Sequence, residues 1–165
     1  VQNDISSFPA LFFRQVGAKS SRVALRRKEH GVWRQTTWKQ YGDAVNGVAR
    51  ALISAGIRPG EAVAILGDNR PEWPICDLAV MSVGGATCGI YPTSSADQVA
   101  YIVSHSKARF LFVENEEQLD KAMGIRSKTA LEKRRAPCQW IPSPPRRTRS
   151  SPRIVLSRSP HGHAA

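Results

Sequence analysis

The stretch Thr37–Leu66, TWKQYGDAVNGVARALISAGIRPGEAVAIL, decides the fold class. Thr37 and Gln40 stand at capping-box spacing, a hydroxyl at the N-cap and an amide three residues on. Behind them Trp38, Tyr41, Val45, Val48, Ala49, Leu52 and Ile53 recur at steps of three and four. That spacing predicts one apolar face of an amphipathic helix. Gly56 sits where a left-handed residue ends a helix, and Pro59-Gly60 makes a turn. Ala62–Leu66 then runs without a polar side chain, as expected of a strand buried on both faces.

The same grammar extends both ways. Downstream, Arg70-Pro71-Glu72-Trp73 opens a second helix, where proline is tolerated, provided that Pro74 also lies in the first turn. Ile75, Leu78, Ala79 and Val83 give its inward face, and Gly84-Gly85 ends it. Ala86–Ile90 is a second strand. Ser95 to Gln98 forms a second capping box, opening a helix with Val99, Ile102 and Val103 inward. Arg109–Val113 is a third strand, and Glu116–Met123 begins another helix. Upstream, Phe8–Val16 is a short helix, and Arg22–Arg26 and Val32–Gln35 are strands around a turn at Lys28–Gly31. Strands alternating with helices at this spacing predict an α/β fold of parallel βαβ units.

The 165 residues divide sharply in composition. Residues 1–123 hold 14 basic and 12 acidic residues, whereas residues 124–165 hold 10 basic and one acidic, Glu132. The net charge of +11 is therefore a property of one end, which excludes a uniformly basic nucleic-acid-binding domain. Six of the 11 prolines fall in 124–165, and Ile154-Val-Leu156 is its one compact apolar run. Such a segment buries too little apolar surface to offset an ordering entropy of about 1–2 kcal/mol per residue. The expectation is a partial N-terminal domain over 1–123 and a disordered Arg/Pro/Ser-rich tail over 124–165. The helix begun at Glu116 should lead into another strand that the sequence does not supply. Cut there, the sheet is expected to keep an open edge and to be marginally stable.

No run approaches the ~18 apolar residues of a membrane span. No basic region followed by an apolar one marks a secretory signal. Cys76, Cys88 and Cys138 are an odd number without metal-type spacing, which fits a reducing compartment and predicts a cytoplasmic location.

Asp68-Asn-Arg-Pro-Glu-Trp73 and Ile90-Tyr-Pro-Thr-Ser-Ser-Ala-Asp-Gln98 resemble segments of the AMP-dependent acyl-CoA synthetases. Val23-Ala-Leu25, the Trp38–Gly60 helix and turn, Gly84-Gly-Ala86, and Gln98 to Val113 with Ser106-Lys-Ala-Arg109 add to the likeness. The segments stand in family order and spacing over roughly residues 8–123. Tyr91-Pro-Thr-Ser94 favours the long-chain fatty-acid–CoA ligase branch. The resemblance implies the N-terminal subdomain of an adenylate-forming enzyme, which makes a thioester in two half-reactions. A fatty-acid carboxylate attacks the α-phosphate of ATP, giving an acyl-adenylate and pyrophosphate. The thiol of CoA then displaces AMP.

That chemistry calls for a Gly- and Ser/Thr-rich loop with a lysine around the phosphates and a carboxylate for Mg²⁺. In the family these lie beyond the matched region, and no run in this sequence reads like Thr-Ser-Gly-Thr-Thr-Gly-x-Pro-Lys. Thr93-Ser94-Ser95 lacks the glycines and the lysine and reads as a helix cap. Gly-x-Gly-x-x-Gly and Walker loops are absent as well. No catalytic, cofactor-binding or metal-binding residue is therefore assigned. ATP, Mg²⁺ and CoA are implied for a complete enzyme and not for this chain alone.

Individual residues carry plain structural readings beside sharper ones. Arg70 and Glu72 read as a helix-start ion pair rather than substrate contacts. Trp73 reads as packing on the sheet rather than lining an acyl tunnel. Tyr91, just past a strand, stands where α/β sites gather, yet reads as structural. Cys76 and Cys88 read as small buried hydrophobes. His105 suits a helix C-terminus, where a cation favours the dipole. Cys138, His161 and His163 are too far apart, and without a fourth ligand, for a metal site.

The sequence thus predicts a fragment of a fatty-acid–CoA ligase, inactive alone. One alternative is half of a split enzyme, completed by a separate C-terminal chain. Another is a noncatalytic module whose basic tail binds nucleic acid or an anionic membrane. With Trp140 the tail's one aromatic residue, base stacking is minimal and nucleic-acid binding would be nonspecific. The tail composition also matches a GC-rich gene read out of frame. The lipid substrate implies peripheral membrane contact.

Overall fold

The computed structural model describes residues 7–125, Ser127, Thr129 and two short segments, 134–136 and 153–156. The elements in chain order are α1 (Phe8–Ala18), β1 (Val23–Glu29), β2 (Val32–Thr37), α2 (Trp38–Ser54), β3 (Ala62–Leu66), α3 (Glu72–Ser82), β4 (Ala86–Ile90), α4 (Ala96–His105), β5 (Phe110–Val113), α5 (Glu116–Gly124), β6 (Arg134–Ala136) and β7 (Arg153–Leu156). The main sheet has the order β4-β3-β5-β7-β6. β3 pairs in parallel with β4 on one edge and β5 on the other, Ala62 opposite Ala86 and Val63 opposite Phe110.

The strand period of two sorts side chains between two cores. Val63, Ile65, Phe110 and Phe112 face a layer made by α1, α2 and α3. Ala64, Leu66, Leu111 and Val113 face α4 and α5. Helices thus cover both faces of β3 and β5, which is why these strands are apolar throughout. In the first layer Phe12 and Tyr41 meet edge to face at 4.8 Å, with Phe13 and Trp38 beside Phe12. Burial, aided by Asp77, pushes the Tyr41 phenol up to about 12. It stays neutral at physiological pH, as a buried hydroxyl should.

Both predicted capping boxes form. Thr37 Oγ1 accepts from Gln40 N–H, and Gln40 Oε1 accepts from Thr37 N–H. Ser95 and Gln98 repeat the exchange at α4. Pro74 lies in the first turn of α3, as required. Two glycine turns then set the register of β3 against β4. Gly60 N–H donates to Gly84 O, and Ala86 N–H donates to Glu61 O. Gly60 and Gly84 hold φ of 84° and 76°. At Gly85 a Cβ would fall 2.9 Å from Val80 Cγ1 and 3.1 Å from the Glu61 carbonyl oxygen.

Several expectations shift. α1 runs two residues past Val16, and β1 continues to Glu29, leaving only His30-Gly31 as the hairpin turn. Both turn residues have positive φ, 48° and 81°, the geometry that matches the twist of a hairpin. Ile53 is 61% exposed, off the buried face of α2, whose inward positions close with Leu52. Val83 is the C-cap of α3, and its side chain packs, half-buried, against the first core as expected. α3 also buries Cys76 and Val80 with Ile75, Leu78 and Ala79, because it is sandwiched between α2 and the sheet.

The boundary at Met123 shifts too. Gly124 closes α5, and Ile125 is 1% exposed in the second core. Of the stretch expected to be disordered, 134–136 and 153–156 are strands, and nearly all the rest lies outside the described residues. The strand expected after α5 does arrive, but antiparallel: β7 pairs with β5, Val113 opposite Arg153, and β6 pairs with β7. It contains the compact run Ile154-Val-Leu156. The edge of β5 is therefore paired and not open. Among the described residues no helix is long and apolar enough to cross a membrane.

The glycine contacts give opposite expectations for one substitution. Gly85→Ala will destabilise the chain by about 1–3 kcal/mol through overpacking. Gly17→Ala, where nothing lies within 4 Å of the added carbon, will stabilise α1 by up to ~1 kcal/mol. Urea unfolding of the two variants checks both signs.

Candidate functional site

β3 is the centre of the parallel part of the sheet. The chain leaves it through α3 on one face to β4 and returns through α4 on the other face to β5. The carboxyl ends of β3 and β5 therefore flank a topological switch point, where α/β folds place ligands. A cavity of about 40 Å³, room for a few waters, opens there. Its floor is apolar, built from Ile65, Trp73, Cys76, Phe112 and Val113; its rim is Gly67, Asp68, Arg70, Glu72 and Glu114.

Glu114 organises the rim. As the first residue past β5 it donates its backbone N–H to Leu66 O, extending the β3–β5 ladder by one bond. Its Oε2 accepts from Asp68 N–H at 2.6 Å, and its Oε1 accepts from Arg70 Nη1 at 2.9 Å. Gly67 permits this approach: a Cβ there would lie 3.0 Å from Glu114 Cβ and 3.2 Å from Oε2. Burial alone pushes the Glu114 carboxyl up. The Arg70 hydrogen bond, the Asp68 N–H and the Arg70 charge together outweigh burial and hold it below the usual carboxylate range. The same hydrogen bond raises Arg70 further, against its own partial burial.

The pair continues into a chain of charges. Arg70 Nε lies 3.6 Å from Glu72 Oε2, and Glu72 Oε1 accepts from Arg27 Nη1 at 3.2 Å. Arg27 Nη2 reaches Glu29 at 3.0 Å, and Arg34 lies 3.7 Å from the same carboxylate. Six alternating side chains thus link the β1–β2 hairpin, the start of α3 and the ends of β3 and β5. Partly buried charges persist only when paired, and here the pairing is internal.

The predicted helix-start pair of Arg70 and Glu72 is present, yet it is the longer contact. The tighter partner, Glu114, was not singled out from sequence. The signal was the run Phe110–Val113 ending in an acid: a carboxylate at the mouth of a buried strand needs a cation nearby. Trp73 packs on the sheet as expected, its Cζ2 3.2 Å from where a Cβ on Gly89 would stand, and it also lines the crevice. Tyr91 departs from its structural reading. Its side chain is 81% exposed, and only its carbonyl is structural, accepting from Ser94 N–H.

Cys76 is buried and Cys88 half-buried, and neither is in a disulfide. His105 lies in the last turn of α4 as predicted, stacked on Tyr101 with ring centroids 5.6 Å apart. Cys138, Trp140, His161 and His163 lie outside the described residues. Among the described residues no three His, Cys, Asp or Glu side chains group as metal ligands.

The crevice does not fit a nucleotide polyphosphate. Its one guanidinium is engaged by Glu114 and flanked by Glu72, and the rim also holds Asp68. Three carboxylates around one committed cation repel phosphate rather than cradle it. What the arrangement does is fasten the ends of two strands to the helix between them.

Glu114→Ala will cost about 2 kcal/mol by leaving the Asp68 N–H unpaired and Arg70 with only its longer contact to Glu72, and Glu114→Gln less, since its amide oxygen still accepts. The folded value of Glu114 lies below its unfolded one. Its contribution is therefore complete above the unfolded carboxylate value and disappears as pH falls through the folded one. Urea unfolding across the acid range will show a shallower pH dependence in Glu114→Gln than in the unsubstituted chain.

Comparison with known proteins sets this framework in a family. The pattern of the AMP-binding enzymes matches residues 12–153, running past Met123 where the composition changes. The long-chain-fatty-acid–CoA ligase ACSBG2 of Homo sapiens is 34% identical over 134 residues, covering 81% of this chain and 20% of that protein. The long-chain-fatty-acid–CoA ligase FadD15 of Mycobacterium bovis is 38% identical over 94 residues, 57% of this chain and 16% of that protein. The chain thus spans about a fifth of the length of the curated relatives it matches.

Among solved structures, the anthranilate CoA ligase AuaEII in complex with anthranoyl-AMP superposes with a TM-score of 0.66 at 26% identity, over 73% of this chain and 22% of that one. The N-terminal domain of FACL13 from Mycobacterium tuberculosis shares the fold, with a TM-score of 0.66 at 20% identity over 72% of this chain and 30% of that one. The order of elements, the parallel β4-β3-β5 core and these matches agree: the chain belongs to the AMP-binding enzyme family, and its fold is that of the N-terminal part of an adenylate-forming enzyme.

Proposed function

We propose that these residues form the N-terminal framework of a long-chain fatty-acid–CoA ligase. The observation that supports this most is the 34% identity to such a ligase across 81% of the chain. In the proposed reaction a carboxylate oxygen of the fatty acid bonds to the α-phosphorus of ATP and pyrophosphate leaves. The sulfur of CoA then bonds to the acyl carbon and AMP leaves, carrying the electron pair of the broken acyl–oxygen bond. ATP, Mg²⁺ and CoA enter as the needs of the complete enzyme. This chain's share is mechanical: α2, α3 and the ends of β3 and β5 present a rigid edge on which the reacting parts are mounted. A cytoplasmic location belongs to the same proposal.

The 165 residues contain no glycine-rich phosphate loop with its lysine. A polypeptide of these residues alone is therefore expected to be inactive; the alternative is half of a split ligase, completed by a separate C-terminal piece bearing that loop. The reverse direction of charge in the crevice supports this, since Arg70 is already committed to Glu114.

A second reading concerns residues 124–165. Their loss of apolar periodicity, and the antiparallel β7 where a βαβ repeat predicts a parallel strand, favour a stretch translated out of frame. The family match through residue 153 weighs the other way. Sequencing the gene past the Met123 codon decides it: another frame resuming a ligase supports the reading, and no such frame ends it.

Purified chain with ATP, Mg²⁺ and a long-chain fatty acid will give no acyl-adenylate. Co-expression with the C-terminal portion of a ligase will give acyl-CoA that neither piece yields alone. Acyl-adenylate from the chain by itself would overturn the proposal.

A further inference from the structure

The described residues carry a second polarity of charge, separate from the basic end. Between Arg14 and Lys39 stand eight basic residues and one acid, Glu29. Between Gln40 and Met123 stand six basic and ten acidic residues. The basic group centres on the β1–β2 hairpin, and the hairpin divides it between two faces. Arg27, Glu29 and Arg34 share the inner face, where they pair with one another and with Glu72 of α3. Cross-strand pairs put Arg26 opposite Gln35 and Lys28 opposite Trp33 on the outer face. All four are exposed, Trp33 by 62%, and Arg26 and Lys28 make no ion pair among the described residues. Val32, 57% exposed, stands opposite Glu29 on the inner face and is not part of the outer one.

We infer that the outer face of this hairpin docks on an anionic lipid bilayer. A single indole flanked by uncompensated cations matches the chemistry of the headgroup layer. The ring lies at the boundary of polar and apolar regions, and the lysine and arginine stems lie along it with their charges toward phosphate. Each cation near such a surface gains from its negative potential. Nucleic acid is the poorer partner, since sequence-tolerant binding of single strands uses successive aromatic platforms along a groove. Here one indole stands on a protruding ribbon. Arg27 ties that ribbon to Glu72 of α3, and Ala24 and Leu25 pack on the first core, which anchors the hairpin to the body. The inference concerns a surface, not the adenylation chemistry, and vesicles without ATP test it separately.

The test is sedimentation of the full 165-residue chain with vesicles of phosphatidylcholine alone and with added phosphatidylserine. Arg26→Gln with Lys28→Gln will weaken binding to the anionic vesicles roughly 30-fold. Brominated lipid will quench tryptophan fluorescence in the unsubstituted chain and much less in Trp33→Phe. Arg146→Gln, Arg147→Gln and Arg149→Gln together will leave that Trp33-dependent quenching in place. The exposed positions keep the variants folded, which far-ultraviolet circular dichroism checks. Unchanged vesicle affinity in the Arg26/Lys28 variant, or binding abolished by the 146–149 substitutions alone, would overturn the inference. So would a preference for single-stranded RNA over anionic vesicles at equal salt.

Discussion

β3 is the constraint on which the rest depends. Its five residues contain no polar side chain, so both faces must be covered, and both of its edges are hydrogen-bonded to parallel neighbours. Parallel neighbours need crossover connections. Those connections become α3 on one face and α4 on the other. With the faces thus assigned, α1 and α2 complete one layer and α5 the other. The abutting turns at Gly60 and Gly84 start β3 and β4 side by side, which fixes the register that the apolar alternation needs.

At the other end of β3 the constraint is electrostatic. The strand must stop, the chain must leave for α3, and β5 must end beside it. Glu114 resolves all three by tying its own strand to Asp68 and Arg70. Through Glu72 and Arg27 the same charges reach the hairpin, which has its own two-stranded sheet and no ladder to the main one. A ligand at this switch point would compete with these pairs. The family likeness and the internally paired crevice therefore fit together: the chain supplies a braced sheet, and the phosphate chemistry is proposed to reside in residues it does not contain.

Much of this was legible in the sequence because it is local. Capping boxes need residues three apart, and Thr37/Gln40 and Ser95/Gln98 announce their helices directly. The strands Ala62–Leu66, buried, and Ala86–Ile90, an edge strand with Ile90 buried, appear with the bounds expected of them. The less legible parts depend on partners far along the chain. Glu114 and Arg70 are 44 residues apart, and the local sign of Glu114, an acid closing the run Phe110–Val113, does not say which cation it meets. Ile53 fits the helical period yet faces solvent, because the covered stripe of α2 is narrower than its apolar stripe. The pairing of Ile154-Val-Leu156 with β5 spans a similar separation and reverses the direction that βαβ logic predicts. Charge counted over 1–123 as a whole hid the hairpin, where a basic ribbon is offset by acids elsewhere.

The central claim is that this framework commits the charges at its switch point to one another and contains no adenylate site of its own. Calorimetric titration with a nonhydrolysable long-chain acyl-adenylate analogue tests it most directly. The account predicts no saturable binding to the 165-residue chain at millimolar analogue, and binding once the C-terminal portion of a ligase is added. Saturable binding to the chain alone, weakened by Arg70→Ala, would contradict it.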